Sequence, residues 1–120
     1  MSKRILIVDD DPLILRAFKR MLALRAAHAD TVDGVEAAKK ALLRAGDMLT
    51  MPDVVLSDWD MPDGTGADLC SWIHNGPKPW PKVVLMSGVV TDPKTELASQ
   101  LGVRIYDKGD FAAILSEVVG

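Results

Sequence analysis

A length of 120 residues suits one domain, able to bury roughly two-thirds of its unfolded surface. With 48% hydrophobic and 26% charged residues the chain is not disordered, and a net charge of −3 offers no general attraction for nucleic acid or an anionic membrane. The lone cysteine, Cys70, excludes an intrachain disulfide and a cysteine metal cluster, so a reducing, cytoplasmic setting is expected.

The opening MSKRILIVDDD holds too short an apolar run for a signal peptide or a membrane span. Its ILIV (5–8) reads instead as a strand buried on both faces. Asp11 then suits an N-cap, with Pro12 at the first position of a helix over 12–25. Leu15, Phe18, Met21 or Leu22 and Arg25 recur there at helical intervals. HADTV (28–32) is the weakest strand and is expected at an edge, followed by a helix over 34–45 with Val35, Ala38, Leu42 and Ala45 in phase. DVVLS (53–57) is a buried strand running into Asp58, and MPDGTG (61–66) is a turn whose glycines permit positive φ. After a helix over 67–74, the stiff loop NGPKPWPK (75–82) places Trp80 where it is expected to cap the bottom of the core. KVVLM (82–86) leads into Ser87 and Gly88, a helix follows over 94–101, VRIY (103–106) leads into Asp107 and Lys108, and a last helix covers 111–119. Cys70 and Trp72 sit on the third helix, where packing accounts for at least one of them, while His28 and His74 lack companions for metal or nucleophilic work.

This (βα)5 alternation requires right-handed crossovers and a mainly parallel sheet covered by helices on both faces. Ligands bind such sheets beyond the carboxyl ends of the strands. There the sequence collects Asp9, Asp10, Asp58, Ser87, Asp107 and Lys108. Capping explains Asp11 alone, and unpaired carboxylates about 5 Å apart repel by roughly 3 kcal/mol at an effective dielectric near 20. With Asp58 alongside Asp9 and Asp10, either some of these acids are neutral at pH 7 or a cation joins them. Hard oxygen ligands with room for water and phosphate suit Mg²⁺. A carboxylate beside such an ion can attack phosphorus and form an acyl phosphate. Lys108 can meet a phosphate oxygen and Ser87 can donate its hydroxyl to another, with Gly88 admitting close backbone approach. A salt bridge from Lys108 to Asp107, or a turn cap by Ser87, would be the plain structural alternatives. Joint placement at strand ends favours the functional reading. The carbonyl of Asp60 can serve as a further metal ligand while its side chain faces solvent.

An acid pair after the first strand, an Asp followed by xxMP and then Gly, a Ser or Thr after the fourth strand and a Lys after the fifth resemble the receiver domain of two-component response regulators, over nearly all of the chain. The resemblance implies a flavodoxin-like (βα)5 three-layer sandwich with strand order 2-1-3-4-5, residues 1–120 forming one receiver domain. It implies that Asp58 accepts phosphate from the phosphohistidine of a sensor histidine kinase or phosphotransfer protein. It further implies that Asp10 binds Mg²⁺ directly, Asp9 through water and Asp60 by its main-chain carbonyl. Ser87 and Lys108 would contact the phosphoryl group. The domain would be a signalling switch rather than an enzyme, docking on an output protein through its fourth helix, fifth strand and fifth helix, without nucleic-acid binding or membrane insertion.

Departures from the family pattern concern the switch. Gly109 stands where receivers usually have a cis proline, and Ile105 where an inward-turning Tyr, Phe or His is usual, with Tyr106 on the opposite side of the strand. They leave open a scaffold that keeps the acids but works without phosphate. DWD (58–60) also resembles the nucleophile motif of haloacid-dehalogenase-type phosphatases. In that family, however, the acid pair follows the lysine, and a cap domain would need more chain.

Overall fold

The computed structural model describes residues 3–120. Its elements in chain order are β1 (Arg4–Val8), α1 (Pro12–Ala23), β2 (His28–Val32), α2 (Val35–Asp47), β3 (Val54–Asp58), β4 (Asp60–Met61), β5 (Gly64–Thr65), α3 (Gly66–His74), β6 (Lys82–Ser87), α4 (Asp92–Gln100), β7 (Arg104–Asp107) and α5 (Phe111–Val119). The main sheet is parallel with order β2-β1-β3-β6-β7. This is the expected 2-1-3-4-5 arrangement, because the small β4-β5 hairpin takes two of the numbers. The weak strand 28–32 lies at an edge as expected.

Alternation along the strands divides the interior into two layers. Leu6, Val8, Val55 and Leu85 pack with Val35, Ala38 and Leu42 of α2, Leu69, Cys70 and Ile73 of α3, and Ala98 of α4. Ile5, Ile7, Leu56, Val84 and Met86 face the other way, onto Phe18 and Leu22 of α1 and Ile114, Leu115 and Val118 of α5. Phe18 is fully buried and meets the Phe111 ring edge-on, with centroids 5.3 Å apart; truncating such an aromatic costs about 3–5 kcal/mol. Strand β3 is buried along its whole length, which is why its sequence is apolar up to Ser57 and Asp58. Among the described residues no helix is long and apolar enough to cross a membrane.

Caps fix the helix starts near the strand ends. Asp11 accepts from the Leu13 N–H at 2.9 Å, as its sequence position implied. Thr65 and Asp68 form a reciprocal capping box at α3. Helix α2 begins at Gly34, which has no side chain to offer, and a distant acid does the work instead. Asp63 accepts from Val35 N at 2.9 Å and Glu36 N at 3.0 Å. These bonds, that to Glu36 first, hold the Asp63 carboxyl below the usual carboxylate range. The third acid of the 58–63 stretch thus caps a helix rather than joining the acidic cluster. Its contribution to stability is present above the ordinary carboxylate value of 3.8 and is lost as pH falls through the depressed one. Asp63→Ala is therefore expected to accelerate amide hydrogen exchange at Val35 and Glu36 at neutral pH, measured by NMR, and acidification through the depressed value should lower the protection factors of the same two amides in the wild type, each referred to the intrinsic rate at its own pH.

Two local expectations need correction. Trp80 is 38% exposed and does not join either core layer. Its ring stacks on His74 at 4.6 Å, and its Nε1 donates to the Gly76 carbonyl at 3.0 Å, so it stiffens the proline-rich loop at the sheet's amino end. Helix α4 begins at Asp92, capped by Thr91, with Pro93 in its first turn, rather than at residue 94. Proline is tolerated there because the first turn has no internal N–H bond to lose.

Candidate functional site

Strand order reverses about β1 and β3, opening a crevice at their carboxyl ends. Register brings the chemistry there: Val8 lies beside Ser57, Asp58 beside Met86, and Ser87 beside Asp107. Each strand therefore delivers its next side chain to the same rim.

Asp9, Asp10 and Asp58 converge, with one carboxylate oxygen from each lying within 4.8 Å of the others. Asp9 and Asp58 are buried and Asp10 is exposed. Asp9 Oδ1 accepts from the Asp11 N–H at 2.9 Å. Its Oδ2 is buried and 2.8 Å from Lys108 Nζ, but among the described residues no donor meets it in hydrogen-bond alignment. Lys108 also stands 3.2 Å from Asp58 Oδ2. Burial and then the neighbouring Asp9 charge raise the Asp58 carboxyl above its ordinary value, with Lys108 offsetting part of the rise. For Lys108, burial alone would lower the ammonium, yet the contacts with Asp9 and Asp58 outweigh it and raise the group. One monovalent cation thus serves a cluster of acids that remains short of positive charge. A buried oxygen without an aligned donor and a set made only of carboxylates fit a hard divalent cation.

The alternative pairing of Lys108 with Asp107 does not occur. Asp107 Oδ1 accepts instead from the Gly109 N–H at 2.8 Å, and Asp107 O from the Asp110 N–H at 3.0 Å. This tight turn replaces the usual cis proline, and the Lys108–Gly109 bond is trans. Lys108 N donates to Ser87 O at 2.9 Å, which anchors the lysine's backbone to the neighbouring strand.

Ser87 is fully buried, and its hydroxyl donates to Val89 O at 2.8 Å. Lys94, which carried no signal in the sequence, reaches the same hydroxyl from the first turn of α4 at 2.9 Å. It also pairs with Asp60 Oδ2 at 3.0 Å, so the Asp60 side chain, though 69% exposed, is not simply solvated. Trp59, buried beside Asp58, has its ring 6.0 Å from the same ammonium. Ile105 packs on the α2–α3–α4 side of the sheet and Tyr106 on the α1–α5 side with Phe111, both half-buried, as strand alternation requires.

Glycine matters here for space more than for φ. Gly64 does take a positive φ of 150°. Gly66 does not: a Cβ there would lie 2.5 Å from the Asp58 carbonyl oxygen and 3.0 Å from Leu85 Cδ2. A Cβ on Gly88 would meet nothing within 4 Å, so protein packing does not demand glycine at that position. Gly66→Ala is expected to lower unfolding free energy by roughly 2–3 kcal/mol, as overpacking against backbone does, whereas Gly88→Ala leaves it unchanged; urea titration checks both.

A family model described as the response regulator receiver domain matches residues 5–106. Lys108 lies just beyond the match. Among solved structures, a response regulator receiver protein from Pseudomonas putida is 23% identical, with 99% of this chain and 96% of that one covered at a TM-score of 0.84. The BeF3-activated N-terminal receiver domain of RstA from Klebsiella pneumoniae is 22% identical over 95% and 92%, at 0.80. The receiver domain of a signal transduction histidine kinase from Syntrophus aciditrophicus is 25% identical over 98% and 87%, at 0.81.

Proposed function

The chain belongs to the response regulator receiver domain family, and from that premise we propose that Asp58 accepts a phosphoryl group from the phosphohistidine of a sensor histidine kinase or phosphotransfer protein, with Mg²⁺ as cofactor. The observation that carries this reading is the convergence of Asp9, Asp10 and Asp58 within 4.8 Å, with Lys108 3.2 Å from Asp58. Asp9, Asp10, Asp58 and the Asp60 main-chain carbonyl would hold the ion. When bound, Mg²⁺ neutralises phosphoryl oxygens and positions them for in-line transfer.

The chain's own groups supply the rest. An Asp58 oxygen forms the new O–P bond as the P–N bond to the donor imidazole breaks, the imidazole nitrogen taking that electron pair. Burial of Asp58 limits access of water to the product. Lys108, already between Asp9 and Asp58, moves onto a phosphoryl oxygen as a charge-assisted donor. Ser87 turns its hydroxyl from Val89 O to another. Residues 1–120 act as one receiver domain, a cytoplasmic switch whose output is an unidentified protein docked on α4, β7 and α5, not nucleic acid.

Transfer from a radiolabelled phosphohistidine donor tests this. The expected label is Mg²⁺-dependent, stable in acid and labile in base. A chain that takes up no label from any histidine donor, yet still binds partners, would be a phosphate-independent scaffold.

A further inference from the structure

The ammonium of Lys94 has three protons to donate, and each has an acceptor: Ser87 Oγ at 2.9 Å, Asp60 Oδ2 at 3.0 Å and Val89 O at 3.0 Å. Its side chain is only 19% exposed. The position is unfavourable for a cation on local grounds, because the first turn of a helix carries positive partial charge. Lys94 is nevertheless bent back from α4 over the strand ends, so its setting is determined by the site rather than by the helix. The Ser87 hydroxyl has a single proton, now given to Val89 O. To donate to a phosphoryl oxygen it must release that carbonyl, which Lys94 keeps satisfied, and a turn about χ1 that carries Oγ toward the phosphoryl group would also carry it away from the Lys94 ammonium. A saturated ammonium then needs a new acceptor, and the nearest addition of negative charge is the phosphoryl group.

We propose that Lys94 is a positioning residue that couples the phosphoryl site to α4: it sets the Ser87 hydroxyl in the resting state and draws the first turn of α4 with it when that hydroxyl turns. The proposal deepens the phosphoacceptor reading and rests on it. Ile105 has no polar atom to follow Ser87, whereas Lys94 already touches it.

Beryllofluoride with Mg²⁺ is the probe, applied to wild type, Lys94→Met and Lys94→Arg. Fluorine NMR reports binding, and amide hydrogen exchange over residues 91–97 reports α4. Loading should change wild-type exchange there by about fivefold or more, a modest shift in local opening. Lys94→Met should bind the probe with its change reduced below about twofold, and Lys94→Arg, which keeps the donors, should retain the response. A purely structural lysine would alter exchange equally in both states and leave the difference intact. Lys94→Gln replaces the methionine variant if that one fails to fold. A full α4 response in the loaded methionine variant would overturn the coupling, as would its failure to bind the probe. No bound signal in the wild type would instead overturn the phosphoacceptor reading beneath it.

Discussion

Asp58→Asn is expected to take up phosphoryl groups at least about a thousandfold more slowly than wild type, because an amide has no anionic oxygen to attack phosphorus. The same variant should melt higher than wild type in metal-free buffer at neutral pH. Burial and the adjacent Asp9 charge raise the Asp58 carboxyl above its ordinary value of 3.8. For a group raised in the fold, the stabilising contribution is complete below the unfolded value and is lost as pH rises through the folded one. At pH 7, above the ordinary value, the Asp58 carboxyl therefore costs stability that asparagine does not. Mg²⁺ should reverse the order, since a ligand at a hundred times its Kd stabilises by about 2.7 kcal/mol and the amide is the poorer ligand. Calorimetry of both proteins with and without Mg²⁺ checks the sign of each difference. A wild type more stable than the variant without metal would mean that Lys108 neutralises the cluster completely.

Lys108→Ala should act in the opposite sense on stability. Removing the ammonium leaves Asp9, fully buried, and Asp58 facing each other without a cation. Loss of one partner from a buried pair costs about 3–5 kcal/mol, and partial exposure of the lysine brings the expected loss to roughly 2 kcal/mol. The contacts that raise Lys108 keep its contribution in place below the ordinary value of 10.5, to be lost only as pH rises through the higher folded value. Metal affinity should rise by about tenfold or more, because the Lys108 ammonium and a divalent ion held by the same carboxylates would repel each other. Phosphoryl uptake should fall despite tighter Mg²⁺ binding. Titration calorimetry with Mg²⁺, urea unfolding and phosphoramidate labelling separate these effects.

What the sequence made legible was set by short-range pattern. Apolar runs of strand length gave the buried strands, helical spacing placed Phe18, Leu22, Val35 and Ala38 inward, and strand alternation put Ile105 and Tyr106 on opposite faces. The carboxyl end of each strand marked the rim, which is why Asp58 and Ser87, at strand ends, and Asp9 and Lys108, one residue beyond, all lie there. Contacts between residues far apart in the chain left no such trace. Asp63 reads as a turn acid, and only the approach of α2 makes it a cap. Gly66 reads as a φ-permissive glycine, whereas the Asp58 carbonyl 2.5 Å from its absent Cβ is the true constraint. Lys94 sits in a polar helix with an early proline, and nothing local distinguishes it from a solvated lysine until Ser87 and Asp60 come within reach.

The most direct measurement is to locate the phosphoryl group chemically. After incubation with phosphoramidate, borohydride reduction converts an aspartyl phosphate to homoserine, and tandem mass spectrometry reads its position. Homoserine at residue 58, formed with Mg²⁺ and absent when the metal is chelated, is the predicted result. Homoserine at another aspartate, or at 58 in equal yield without any divalent ion, would contradict it.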